Sequence, residues 1–216
     1  MKATKRKKII KNKYVIVLDY CIPLVNMVST DVAVNNVKVT DKSGKILIDN
    51  MSPNTTDAYS DFTDVRVMKM TYGASYDLTI DRKSTSNTVN YKTWIDWNID
   101  GDFDDANEEV LSSGPITGST ATSKIVVPAL ANSFEGKTRM RVGVSYGSFA
   151  NTPCGVNQVG EFEDYAIQLA NKGWKKACAD SNELKLGLNV ISGKVVYKGV
   201  AEAFNLEYTE VDSFLN

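Results

Sequence analysis

The stretch Val37-Lys38-Val39-Thr40-Asp41-Lys42-Ser43-Gly44-Lys45-Ile46-Leu47-Ile48 decides the fold class. Its apolar residues alternate with polar ones on both sides of an Asp-Lys-Ser-Gly cluster, the pattern of two half-buried strands joined by a turn. Val32 and Val34 extend the alternation toward the N-terminus. The same period returns at Val65 and Val67, at Tyr76, Leu78 and Ile80, from Tyr91 through Trp97, and from Ile125 to Val127. It returns again at Met140, Val142, Val144 and Tyr146, and from Phe162 through Leu169. Gly, Asn, Ser, Thr and Pro clusters separate these runs, and no segment before residue 170 holds a helical period over three turns. Roughly eight to ten short strands with turn signals between them predict an all-β chain, an antiparallel, jelly-roll-like β-sandwich and not a parallel α/β sheet. Residues 112–123, rich in Ser, Thr and Gly, read as a loop within it, and no internal repeat is found.

The chain has 216 residues, 43% of them hydrophobic, enough for one core with a short appendage. It contains no histidine, which removes His-based nucleophile systems, His-ligated zinc and any His general base. Catalysis would have to run on carboxylates, Lys, Tyr or Cys, and a metal would meet oxygen. Charge is unevenly placed. Residues 1–13 carry +7, leaving 18 bases against 26 acids, or −8, on the remainder. An acidic body argues against a nucleic-acid surface, which needs basic residues spread over a folded face. The basic start followed by Tyr14-Val15-Ile16-Val17-Leu18 has the outline of a secretory signal, but Asp19 cuts the apolar run and no small-x-small site follows. The alternative is a solvated basic tail leading into a first strand. The run is too short to span a bilayer.

The most informative segment for function is Trp94-Ile95-Asp96-Trp97-Asn98-Ile99-Asp100-Gly101-Asp102-Phe103-Asp104-Asp105-Ala106-Asn107-Glu108-Glu109. Residues 96–109 hold seven acids and no base. Oxygen-bearing side chains at 96, 98 and 100 followed by Gly101 follow the first half of a calcium loop, where short side chains on a curled backbone converge on one centre. Hard oxygen ligands select calcium over softer metals. The second half departs from an EF-hand: Asn107 stands at the twelfth position, Glu108 comes one step later, and the flank alternates as a strand. The predicted ligands are Asp96, Asn98 and Asp100 through their side chains and Asp102 through its carbonyl or carboxylate, with Asp105 or Glu108 completing the shell. Asp, Asn and Gly are also ordinary turn residues, so a solvated acidic turn is the plain alternative. A carboxylate-based hydrolase acting on polysaccharide or peptide is the other competitor, but no acid is singled out opposite a nucleophile.

Six blocks in order, Tyr20-Cys21, Tyr59-Ser60-Asp61-Phe62-Thr63, Trp94 through Phe103, Arg139-Met140-Arg141-Val142, Cys154, and Gly160-Glu161-Phe162-Glu163-Asp164-Tyr165, resemble the GEVED domain family. The family takes its name from a closing Gly-Glu-Val-Glu-Asp motif, in which Phe162 here replaces valine. The resemblance covers about residues 19–169. It implies a non-catalytic β-sandwich module of secreted or surface-attached bacterial proteins, binding calcium and serving adhesion, binding or spacing beside a neighbouring domain, protein or glycan. Carried over by position, it implies a metal loop of Asp96, Asn98, Asp100, Asp102 and Glu108, with Glu161, Glu163 and Asp164 as signature acids that either reach the metal or, for Glu161 and Glu163, face solvent. It also implies pairing of Cys21 with Cys154 and hence an oxidising compartment, with Cys178 the odd one. Two buried thiols in a cytosolic structural protein are the alternative. Tyr146 and Phe149 are candidates for a glycan platform or for the core. The segments are then a basic stretch 1–18, the sandwich 19–169, a polar connector 170–183 and a tail 184–216. Residues 184–194 of that tail faintly resemble the opening of a type IX secretion sorting domain.

Overall fold

The protein is described here from a computed structural model that covers residues 4–10, 13–52, 57–129, 135–147 and 151–170. The connector beyond Ala170, the tail, Cys178 and Phe149 lie outside the described residues. Strands β1 (Thr4–Ile10) and β2 (Lys13–Asp19) form a two-stranded antiparallel ribbon. The Lys-rich start is therefore a paired strand and not a tail. The remaining strands are β3 (Leu24–Met27), β4 (Val34–Asp41), β5 (Ile46–Met51), β6 (Tyr59–Asp61), β7 (Val67–Thr71), β8 (Ser75–Arg82), β9 (Val89–Ile95), β10 (Glu109–Ser112), β11 (Thr120–Val126), β12 (Gly136–Tyr146) and β13 (Val156–Ala170).

Two sheets face each other. One runs β11-β8-β4-β5. The other runs β10-β9-β12-β13-β3, with β6 and β7 also paired to β13. Alternation sends Val37, Val39, Ile48, Leu78, Ile80 and Ile125 inward from the first sheet. Tyr91, Ile95, Met140, Val142, Val144, Tyr165 and Ile167 meet them from the second. Each buried aliphatic side chain contributes about 1.5–3 kcal/mol relative to exposure. The turn between β4 and β5 forms as its sequence predicts. Asp41 Oδ1 accepts hydrogen bonds from the Ser43 amide, the Ser43 hydroxyl and the Lys45 amide, and Gly44 takes the left-handed conformation at φ 83°.

The all-β sandwich is thus as expected, with three corrections. The sandwich is not purely antiparallel, because β13 pairs in parallel with β3, β6 and β7. Period-two alternation is the same beside a parallel or an antiparallel neighbour, so the sequence pattern is blind to direction. Val65 belongs to an exposed turn and not to a strand. The expected loop at 112–123 is shorter, because β11 begins at Thr120 and its small inward Ala121 hides the alternation.

Candidate metal centre

The face of the larger sheet turned away from the core carries the polar chemistry. Trp94, Arg141 and Asp164 sit side by side across β9, β12 and β13. Arg141 Nε and Nη2 each donate to one oxygen of Asp164 at 2.7 Å, a bidentate pair with both side chains fully buried. Arg141 Nη1 donates to the Pro153 carbonyl at 2.6 Å and contacts Cys21 Sγ at 3.2 Å. Arg139 Nη1 and the Tyr59 hydroxyl both donate to Asp164 Oδ2, at 2.8 and 2.7 Å. The Arg141 guanidinium lies 5.0 Å from the Phe103 ring centroid and 5.6 Å from that of Tyr59. Phe103, Trp94 and Phe162 form a small second core against Tyr20, Tyr59 and Cys154. Gly143 makes room for it, since a Cβ there would come within 2.5 Å of the Phe162 ring. Cys21 and Cys154 are disulfide-bonded, their Cα atoms 5.7 Å apart.

Phe103 reaches this face because the acidic loop between β9 and β10 folds back on itself. The loop is closed at its base by Ile95 N–H donating to the Glu108 carbonyl at 2.8 Å. Asp96 is fully buried and organises the first turn. Its Oδ1 accepts from the Asp100 amide, and its Oδ2 accepts from the Gly101 amide at 2.9 Å and from the Tyr20 hydroxyl at 2.7 Å. Glu108, also buried, accepts from the Trp97 amide at 2.9 Å on one oxygen and from the Asp105 amide at 3.2 Å on the other. Burial raises the affinity of both carboxyls for a proton, pushing Glu108 up to about 8, while the amide hydrogen bonds oppose it. Ile99 (φ 58°), Gly101 (φ 97°) and Asn107 (φ 71°) take left-handed conformations. For β-branched Ile99 this costs on the order of 1–3 kcal/mol, offset by its packing on the main core and the flanking hydrogen bonds to Asp96.

With Asp96 and Glu108 turned inward, the loop leaves Asp100, Asp102 and Asp105 converging, one carboxylate oxygen of each within 4.8 Å of the others. Oxygens that share a calcium ion sit about 2.3–2.6 Å from it, so two ligands are at most about 5 Å apart, and this donor set fits. Asn98 borders the group, donating from Nδ2 to Asp105 Oδ2 at 2.6 Å while its Oδ1 accepts from the Asp100 amide. Of the six residues that the sequence assigned to the shell, the structure brings these three carboxylates together with Asn98 beside them. It uses Asp96 and Glu108 to bind loop amides.

Residues 90–168 match a family model, and they span the loop, both arginines and the last strand. That model is the GEVED domain. Curated relatives are similar over short stretches. An alanine dehydrogenase of Staphylococcus saprophyticus is 43% identical over 84 residues, covering 36% of this chain and 23% of that protein. One from Halomonas elongata is 51% identical over 51 residues, covering 24% of this chain and 14% of that protein. The chain thus spans less than a quarter of the length of these relatives. A family 123 glycoside hydrolase from Clostridium perfringens has a TM-score of 0.29 at 14% identity, covering 48% of this chain and 23% of that one. A likeness at that TM-score carries no argument.

The GEVED signature acids lie on β13 and are all buried, which corrects the solvent-facing reading of Glu161 and Glu163. The strand is covered on both faces, so alternation there separates two buried environments and not core from water. Glu161 Oε2 accepts from the Val34 amide at 2.7 Å and so ties the last strand to β4. Glu163 faces the main core, where the Tyr165 hydroxyl donates to its Oε2 at 2.6 Å. Asp164 faces the arginines. Tyr146 packs against the core with its hydroxyl 3.2 Å from Ser29 Oγ, the core alternative.

Sequence reasoning missed the roles of Arg139, Arg141, Tyr20 and Tyr59 at this site. Alternation offered no signal for the arginines: with Met140 and Val142 turned inward, Arg139 and Arg141 read as an ordinary solvated strand face. It also missed Arg82, buried and donating to the carbonyls of Asp31, Asn87, Thr117 and Gly118.

Proposed function

We propose that this GEVED sandwich is a non-catalytic, calcium-stabilised extracellular module that holds or presents a neighbouring domain, a protein or a glycan. The observation that carries the calcium reading is the convergence of the Asp100, Asp102 and Asp105 carboxylates on a loop closed at its base. Three carboxylates this close repel one another unless a cation neutralises them. The disulfide supports an oxidising, extracellular setting. No helix among the described residues is long and apolar enough to cross a membrane. A hydrolase needs two carboxylates flanking an accessible bond, whereas the buried acids of β13 are engaged by Arg141, Val34 and Tyr165. The likeness to alanine dehydrogenases brings no dehydrogenase activity into this reading. The acidic body disfavours nucleic acid as a partner.

The test is thermal melting in calcium and in chelator, with the bound metal identified by mass spectrometry. Binding to the native state alone adds about 2.7 kcal/mol at a hundredfold excess over the dissociation constant, so chelation lowers the melting temperature by several degrees. Asp100→Ala removes a ligand and also one of the mutually repelling carboxylates. It destabilises the protein in calcium and leaves it unchanged or slightly more stable in chelator. Equal losses in both conditions, or a native melt indifferent to calcium, would return the loop to a solvated turn.

A further inference from the structure

The acidic loop and the disulfide are joined by an unbroken set of contacts. Tyr20 immediately precedes Cys21 and is partly buried. Its ring packs 5.4 Å from that of Phe103, its face lies 4.6 Å from the Arg139 guanidinium, and its hydroxyl donates to Asp96 Oδ2. Asp96 in turn accepts the Asp100 and Gly101 amides that curl the loop. Cys21 is fixed from the other side by the bond to Cys154 and by contact with Arg141, whose guanidinium also lies against Phe103. Tyr20 belongs to the short run between β2 and β3, outside every sheet, and contributes no ladder hydrogen bond. The disulfide one residue away anchors that run beside the loop, and β3, paired with β13 from Leu24 on, anchors its far end.

We propose that Tyr20, clamped in place by the Cys21–Cys154 disulfide, is the positioning residue of the acidic loop, so that the bond's oxidation state sets how well the loop is ordered. Reduction by a dithiol would transfer two electrons and two protons to the cystine, giving two thiols here and a disulfide on the reductant. With the tether cut, Tyr20 is free to leave Asp96, and Asp96 loses the one hydrogen bond that comes from outside the loop and β12. The consequence for metal affinity rests on the calcium reading above. Loss of an outer partner of a metal site commonly weakens binding about 10–100-fold, and a shift near the lower end is expected here because Asp96 keeps its two amide bonds.

The experiment is amide hydrogen exchange of the full chain in chelator, followed by calcium titration calorimetry. The proteins compared are the oxidised form, the dithiothreitol-reduced form, Tyr20→Phe and the double variant Cys21→Ser with Cys154→Ser. Expected is faster exchange at Asp100 and Gly101 in all three altered proteins, with the β8 amides of Leu78 and Ile80 still protected. Calcium binding should weaken about tenfold in each. Should the reduced or serine protein exchange its β8 amides as well, the fold itself has opened, and Tyr20→Phe, with the bond intact, decides. Unchanged exchange at Asp100 and Gly101 in Tyr20→Phe overturns the proposal. So does unchanged exchange on reduction with β8 protected. Oxidised protein that takes up no calcium but shows the exchange pattern would end the calcium reading and leave the positioning role standing.

Discussion

Arg141 ties three parts of the outer face together. Its guanidinium holds both oxygens of Asp164, a carbonyl next to the disulfide, and the ring of the loop's Phe103. Replacing it with methionine would keep much of the apolar stem but leave Asp164 a buried carboxylate with one guanidinium where it had two. Breaking a buried pair by removing one partner costs about 3–5 kcal/mol, and the remaining Arg139 contact at Oδ2 should hold the loss toward the lower end. Chemical denaturation of Arg141→Met against the native protein checks this, and a loss below about 1 kcal/mol would show the pair to be dispensable. Replacing Arg141 and Asp164 together by Met and Leu should recover part of the loss, because no lone charge then remains buried. None of this was visible from alternation. In β12 an outward arginine reads as solvated, and only the loop folding back over the sheet buries it.

At the scale of the element, β13 decides both what was legible and what was not. Its inward residues Glu161, Glu163, Tyr165, Ile167 and Leu169 share one face, and Glu163 is the acid among them held by the Tyr165 hydroxyl. Burial holds its carboxyl protonated to a higher pH than in the unfolded chain, against the hydrogen bond from Tyr165 that favours the charged form. The folded state therefore binds the proton more tightly than the unfolded state does. Its contribution to stability is complete below the unfolded value near 4.5 and is lost as pH rises through the folded value. Glu163→Gln, a neutral isostere, should remove that loss, so that the variant gains on the native protein with rising pH. Melting curves across the pH range check it, and a gap that stays constant or closes as pH rises would rule it out. The positions of the strands were readable because period two survives in β4, β8, β9 and β12, each with one face on the core. Asp96, Asn98 and Asp100 drew attention to the loop because their spacing is chemically restrictive. What failed on β13 failed for a physical reason: alternation reports which face a residue takes, while the covering of the second face is set by residues far away in sequence. The same limit hid the inward turn of Asp96 and Glu108, which depends on Tyr20 and on the closing of the loop base.

For the whole molecule, the question is where the cooperative unit ends. The buried hydrophobic core among the described residues begins at Val32 and ends at Leu169, and β13 closes at Ala170 with its edge taken by β7 up to Thr71. The disulfide joins residue 21 to residue 154 and so encloses most of that core. A protein ending at Ala170 should therefore melt as one cooperative transition. Its midpoint should lie within about 2–4 °C of the full chain, the shift that about 1 kcal/mol produces at this size. Loss of a cooperative melt would mean that residues 171–216 complete the core. The comparison has to be made between oxidised proteins. Closing a loop of 133 residues lowers the entropy of the unfolded chain by up to about 5 kcal/mol, far more than the shift being sought. An unpaired Cys21 in either sample would thus mimic a truncation defect, and titrating free thiols before each melt separates the two.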